Sequence, residues 1–468
     1  PAEVEVALHL AAGPGTDGTA SATASRTDAG HWSLRTKGPL RAVLTGLPDA
    51  RVRACGGLHA VLRLPAGTHH DLVLDLADRP IDEPSDPAAA WRATESAWAA
   101  DVPALTGLPG RRDARHAFAV LTGLTGPDGG TVAAATTSLP ERAEQGRNYD
   151  YRYVWIRDQA YIGQGVAACG PHRLLAGSVR FVAARLLEHG PGLAPAYTVR
   201  GGPVPELRRL DLPGYPGGFD VVGNRVRRQF QLDAFGESLL LFAAAARHGM
   251  LDRDGRRAAR VAAAAIAARH REPDSGIWEI HPDHWTHSRL TCAAGLRAAA
   301  EAGVLPATDC LPLADRLTAD AFADSRHPSG RWQRSPSDPA VDAALLLPAL
   351  RGAVPPDAPV SRATLAAVLA ELTDDHFCYR FRHDDRPLAD AEGAFLLCGF
   401  LVSLAHLGRH DLPEALRWYE RNRAACGPAG LFAEEFDVPQ RQLRGNLPQS
   451  FVHALLLECA ARLAHCSA

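Results

Sequence analysis

The sequence has no excess of positive charge: 50 lysines and arginines against 53 aspartates and glutamates leave a formal net charge of -3 over 468 residues. That excludes the basic surface on which nucleic-acid binding rests, and no polybasic run borders a membrane-length segment. Long apolar runs are also missing. The longest stretch, around residues 394–407, is too short and too interrupted to span a bilayer. The nine cysteines, at residues 55, 169, 292, 310, 378, 398, 426, 459 and 466, are odd in number, scattered, and without a Cys-x-x-Cys pair. Several fall in apolar helical runs, so they read as small core residues of a reducing compartment rather than as a disulfide framework. No signal peptide is visible, which favours the cytoplasm, although the chain begins at Pro1 without a methionine.

Cofactor signals are equally sparse. His281, His284 and His287 stand three apart, but Pro282 and Asp283 interrupt any helix that would align them and no second cluster completes a ligand set, so no metal site is expected. Gly129-Gly130 and Gly201-Gly202 are turn glycines, since neither pair follows a strand and opens a helix as a phosphate loop does.

What is present divides in two. Residues 1–82 carry period-two patterns: Val4 to Leu8, Arg41 to Leu44, Ala60 to Leu64, and the alternation of Leu72, Leu74 and Leu76 with Val73, Asp75 and Ala77 read as strands of an antiparallel sheet or half-sandwich. Pro65-Ala66-Gly67-Thr68 supplies a turn between the last two. Residues 83–112 hold Trp91 and Trp98, seven apart and so on one face of a helix that links this region to the next. From about residue 113 the spacing is helical, with apolar residues recurring at three and four in 231–248, 256–270, 288–302, 341–350, 361–372, 391–407 and 447–464, cut by Gly249, Gly303 and Gly408. Roughly a dozen helices with no intervening strand runs and no fixed repeat suit a closed all-α barrel better than a solenoid.

Residues 147–158 are the densest stretch, with three tyrosines, a tryptophan, three arginines and two aspartates. So much aromatic area makes a poor surface loop. It suits a sugar pocket, where apolar C–H faces stack on rings and hydroxyls need charged partners, and Arg157 with Asp158 could grip vicinal hydroxyls. The competing structural account is a helix start whose aromatics pack in the core and whose arginines and aspartates pair with each other. Glu279, after Gly276 and beside Trp278, has the apolar neighbour that a general acid needs. Glu434 and Glu435 lie in an acidic patch framed by Phe432 and Phe436, and adjacent residues of an extended loop face opposite ways, so one of the two should point inward as a general base. Either carboxylate taken alone would sooner be read as an ordinary surface glutamate.

These stretches resemble glycoside hydrolase family 15, the glucoamylase and bacterial trehalase family. The resemblance rests on residues 135–158, on Leu212-Pro213-Gly214-Tyr215 with Gly223-Asn224, on Gln231 to Glu237, on Gly276-Ile277-Trp278-Glu279, on Tyr379-Arg380-Phe381-Arg382, on Glu392 to Cys398, on Ala433 to Asp437, and on Gly445 to His453, eight matches in order across about residues 130–465. It implies a mainly α chain, an (α/α)6 barrel preceded by an antiparallel β-sandwich, and because the family's usual strand-rich opening is absent here, the sandwich is expected to be small or truncated. It implies inverting, exo-acting hydrolysis of α-glucosidic bonds from the non-reducing end of a small glucoside or oligosaccharide, with no metal or organic cofactor. By motif, Glu279 matches the general acid and Glu434 the general base. Arg157 and Asp158 match the pair that holds the terminal glucose, Tyr151, Trp155 and Trp278 match aromatics of the binding site, and Arg380 matches an arginine near the scissile bond.

Two segments depart from that pattern. After Tyr215 the family's arginine is replaced in Gly217-Gly218-Phe219-Asp220-Val221, and past Glu279 the usual Arg-Gly-rich link gives way to residues 280–286. Both would border the leaving group, so the leaving group is expected to differ from an ordinary maltooligosaccharide. A diverged member acting on a sugar-bearing specialised metabolite is one alternative. A non-catalytic carbohydrate-binding barrel is another, less in keeping with the retained pair of acids. Nothing in the sequence bears on the oligomeric state.

Overall fold

The computed structural model describes residues 4–10, 23–35, 40–52, 58–142, 146–210, 215, 218–383 and 386–467. Residues 212–214 and 217 and Cys55 lie outside that set. The chain divides into two compact units, Pro1–Asp101 with Leu210–Pro213, and Val102–Arg209 with Gly214–Ala468.

Among its described residues the first unit contains seven strands: β1 (Val4–Leu10), β2 (Thr23–Arg26), β3 (Trp32–Arg35), β4 (Arg41–Thr45), β5 (Arg51–Val52), β6 (Leu58–Leu64) and β7 (Val73–Ala77). They form two antiparallel sheets, ordered β1-β6-β5 and β2-β3-β4-β7. Period-two alternation turns one face of each inward, and Trp32, Leu44, Leu47, Leu58 and Ala60 make the shared core. Trp32 Nε1 donates to the Leu47 carbonyl at 2.9 Å, which satisfies the ring's one polar atom. The turn at Pro65 forms, with Thr68 N on Pro65 O at 3.1 Å. It carries the chain from one sheet to the other rather than closing a hairpin, because β6 pairs with β1 and β7 with β4. Helix α1 (Pro87–Asp101) follows, with Trp91 and Trp98 69% and 41% exposed.

The second unit is built on helices α2 (Arg111–Gly123), α3 (Ile156–Cys169), α4 (Arg173–His189), α5 (Asp233–Arg247), α6 (Arg253–Arg269), α7 (Thr286–Glu301), α8 (Ala307–Asp324), α9 (Leu347–Leu350), α10 (Pro359–Glu371), the one-turn α11 (Leu388–Ala391), α12 (Leu396–Gly408), α13 (Leu412–Arg423) and α14 (Ser450–Ser467). Contacts close a ring: α3 packs on α5, α5 on α7, α7 on α9, α9 on α12, α12 on α14, and α14 on α3. The remaining long helices lie outside, α4 and α6 against α3 and α5, α8 against α7, α10 against the 3-10 turn (Ala343–Leu346) that leads into α9, α13 against α12, and α2 against α14. This is an (α/α)6 barrel. The inner helices are buried on nearly all sides, as in α5 and α12, so their sequences read as almost continuous apolar runs. At the α5–α7 crossing two glycines allow the backbones to touch. A Cβ on Gly236 would stand 2.6 Å from the Thr291 carbonyl, and one on Gly295 would stand 2.4 Å from Gly236 O.

The helical spacing located most inner helices, but 341–350 is a 3-10 turn (Ala343–Leu346) running into α9, and 391–407 begins with α11 and a strand before α12 starts at Leu396. The expectation of no strands in this region needs correction. The pairs β8 (Thr137–Arg142) with β9 (Arg147–Asp150), β10 (Val154–Trp155) with β11 (Ala196–Tyr197), β12 (Arg208–Arg209) with β13 (Val221–Val222), β14 (Thr373–Asp374) with β15 (Phe377–Cys378), and the sheet of β16 (Ala394–Phe395), β17 (Glu435–Asp437) and β18 (Gln442–Arg444) tie the loops together. Most are two or three residues long, too short to show a period.

Candidate active site

The starts of α3, α12 and α14 and the loops that lead into α5 and α7 meet around one cavity. Its volume is about 690 Å3, within the usual range for a small-ligand site. Trp155, Arg157 and Asp158 at the start of α3, Phe395 and Leu397 at the start of α12, and Gln449 and Phe451 at the start of α14 line it. The positive ends of these helices therefore face the space where carboxylates gather. All eight residues expected from sequence, Tyr151, Trp155, Arg157, Asp158, Trp278, Glu279, Arg380 and Glu434, are among its walls. A second cavity of about 530 Å3, between Phe377, Arg421 and Arg441, contains none of them.

Glu279 comes from the loop between α6 and α7, and Glu434 from the loop between α13 and α14. Those loops open the third and sixth inner helices of a six-membered ring, so the two carboxylates enter from opposite sides. A single short segment touches both. Trp155 Nε1 donates to Glu279 Oε1 at 2.6 Å, and the Tyr151 hydroxyl donates to Glu434 Oε2 at 2.8 Å. The two rings meet edge to face at 5.9 Å, with Tyr149 stacked on Tyr151 at 6.1 Å.

Glu279 sits in a tight turn after Gly276 and has a φ of 56°, left-handed backbone that a non-glycine residue adopts only when its surroundings hold it there. Gln231 Nε2 donates to the same Oε1 at 3.1 Å, so Oε2 is the oxygen left for a ligand. Trp278 turns its N–H away to Asp342, 2.8 and 3.0 Å from the two carboxylate oxygens, at the start of the fourth inner segment.

Glu434 is 8% exposed, and burial pushes its carboxyl up to about 8, Glu141 adding to the rise while Arg380 and the Tyr151 hydroxyl oppose it. Its neighbour Glu435 faces the other way, as alternation along β17 requires. Glu435 accepts from Arg147 at 3.3 Å and from Gly393 N at 2.8 Å, and does not line the cavity. Asp158, in the first turn of α3, is held up to about 7, by burial first, with Arg157 pulling down and Glu279 and Asp233 pushing up.

Arg157 is less free than expected. Its Nε bonds Asp233 at 2.6 Å, and Nη2 bonds Gln231 at 2.5 Å and Asp233 and Gly276 O at 3.3 Å. Nη1 is the nitrogen outside this set. Arg380 is likewise engaged, with Nη2 2.5 Å from Glu392 Oε2 and its guanidinium over the Phe395 ring at 4.2 Å. His383 Nε2 stands 3.0 Å from the same oxygen.

The competing account of residues 147–158 holds for part of the stretch. Asp150 takes Arg152 at 2.8 Å, the Tyr153 hydroxyl at 3.0 Å and Gly223 N at 3.0 Å, and Tyr153 is core. Sequence reasoning gave no role to Glu141, Gln231, Asp233, Arg147 or Glu392, which surround the expected residues. The signal available was charge inside apolar helix starts, as at Asp233. Among the described residues no group of three or more His, Cys, Asp or Glu side chains is placed to hold a metal ion, and no helix is long and apolar enough to cross a membrane.

Carboxylates entering from opposite sides of an aromatic cavity, at one end of an (α/α)6 barrel, fit the class of glycoside hydrolases. The profile described as glycosyl hydrolases family 15 matches residues 115–461. The chain belongs to that family and is an α-glucoside hydrolase that releases glucose. It is similar to the trehalases of Mycolicibacterium smegmatis (31% identity over 95% of this chain and 68% of that protein) and Mycobacterium tuberculosis (31% over 95% and 67%). Among solved structures it resembles a bacterial glucoamylase complexed with acarbose, with a TM-score of 0.71 at 14% identity over 95% of this chain and 74% of that one. A wild-type glycosidase superposes with a TM-score of 0.62 at 23% identity over 75% and 96%.

Proposed function

We propose that the substrate is trehalose or an α-glucoside of similar size, with Glu279 as general acid and Glu434 as general base. The observation that carries this reading is the entry of the two carboxylates from opposite sides of the ring, each fixed by the Tyr151–Trp155 segment. Glu434 takes a proton from water as its oxygen bonds to the anomeric carbon. The C–O bond to the leaving group breaks as Glu279 protonates the departing oxygen, and the product is β-glucose. Arg157 and Asp158, with Tyr151, Trp155 and Trp278, bind the terminal glucose, and Arg380 faces the scissile bond. The 31% identity to two trehalases over nearly the whole chain favours trehalose. The eight described cysteines are all free, which supports a reducing, cytoplasmic setting.

One observation favours a second reading. The segment that departs from the family pattern puts Phe219 on the cavity wall beside Leu207 and Val221, with Arg209 over the Phe219 ring at 3.6 Å. An apolar wall there suits a leaving group with an apolar face, as in a glycosylated specialised metabolite. Proton NMR of the released sugar from trehalose, maltose and isomaltose tests both, with Glu279→Gln as control. β-Glucose from trehalose that disappears in the variant supports the first reading. Efficient cleavage of maltooligosaccharides sinks the altered leaving group, and no turnover of any disaccharide moves the assignment to the second reading.

A further inference from the structure

The Tyr151 hydroxyl stands 2.8 Å from Glu434 Oε2 and 3.1 Å from Glu141 Oε1. It has one proton to donate, so it can serve only one of two ionised carboxylates at a time. The three oxygens are satisfied together when one further proton sits on the pair. Glu141 is the half better placed to stay ionised, because Arg147 Nη2 donates to its Oε2 at 2.9 Å, whereas no cation bonds Glu434 among the described residues.

We propose that Glu141 is a positioning residue of this hydrolase, sharing one proton with Glu434 through Tyr151 and so setting the pH at which the base becomes available. The inference rests on the reading of Glu434 as the base. The groups facing the pair come from four elements. Arg147 lies on β9 and spans Glu141, Glu435 and Glu392, the last at 3.5 Å. Arg380 follows β15, Asp158 lies on α3, and Glu392 follows α11. The like charge of Glu141 and that of Asp158 raise the proton affinity of Glu434, while Arg380 and the Tyr151 hydroxyl lower it. Glu141, itself pushed up by burial, is drawn down by Arg147 and Arg380. The arrangement keeps the base protonated over a range where an ordinary carboxylate would be charged.

The test is the pH profile of kcat/KM of the full chain on trehalose and on 4-nitrophenyl α-glucoside. Glu141→Gln removes the like charge and keeps the shape. The acid limb should fall by about one pH unit or more, the size expected for strongly coupled groups, and Glu141→Asp should restore it. A folded Glu141→Gln protein with an unmoved limb overturns the proposal. Should that variant not fold, Tyr151→Phe gives a second readout: loss of the bridging donor should move the limb up, and an unmoved limb overturns the coupling. Glu434→Gln distinguishes the two layers. If it keeps activity, the assignment of the base falls. If it is inactive and the Glu141 limb does not move, only the present inference falls.

Discussion

Replacing Glu434 with glutamine should abolish turnover and, at the same time, make the protein more stable, increasingly so as the pH rises. The carboxyl is ordinarily near 4.5 and is held at about 8 in the folded chain, with burial the largest cause. Below pH 4.5 it is neutral in both folded and unfolded states and contributes no difference. Between 4.5 and 8 the unfolded chain ionises while the folded one keeps its proton, so each pH unit costs the native state about 1.4 kcal/mol. From pH 5 to pH 8 this amounts to roughly 4 kcal/mol as an upper limit, because Arg380 and Tyr151 relax around the charge. Glutamine has the same shape and no proton to lose. Scanning calorimetry of both proteins at pH 5 and pH 8 reads the effect directly. The variant's Tm advantage should widen across that range, at about 2 °C or less per kcal/mol for a chain of this size. A Tm difference that stays constant with pH, or that shrinks, would refute the claim that burial dominates at Glu434.

Two further perturbations test the frame around the site. Asp233→Asn leaves Arg157 buried without its counter-charge and should cost about 3–5 kcal/mol, measured by urea unfolding; a loss under 1 kcal/mol would mean that Gln231 and the Gly276 carbonyl suffice to hold the guanidinium. Gly236→Ala places a methyl against the Thr291 backbone at the α5–α7 crossing and should cost about 1–3 kcal/mol, with a drop in Tm and little change in KM; a neutral outcome would show that the two helices can part without loss.

Residues that line the cavity were legible in the sequence as candidates because each lies in a short run whose chemistry is unusual: Glu279 beside Trp278 after a glycine, Glu434 framed by phenylalanines, and four aromatics spaced by two from residue 149. The helical barrel was legible because inner helices such as α5 and α12 are apolar on almost every side. What stayed hidden is the set of partners. Arg147 meets Glu392 across 245 residues of sequence, and Tyr151 meets Glu434 across 283. No local pattern encodes such pairs, since they exist only once the ring closes and brings the loops before the first, fifth and sixth inner helices together. The same closure decides which of two adjacent glutamates faces the cavity. Glu434 and Glu435 look alike in sequence, and β17 separates them by pointing one into the cavity and the other onto Arg147.

That separation bears on mechanism. An inverting hydrolase needs its base ionised and its acid protonated on opposite faces of one sugar. Here Glu279, the proposed acid, accepts from two neutral donors, the Trp155 and Gln231 N–H groups, on a single oxygen. Glu434, the proposed base, lies near two further carboxylates, Glu141 and Asp158, which raise its proton affinity, while Arg380 and the Tyr151 hydroxyl lower it. The proton affinity of Glu434 therefore depends on Glu141, Asp158 and Arg380 as well as on its own burial, and on the proposed reading a change at Glu141 alone should move the pH at which the base becomes available.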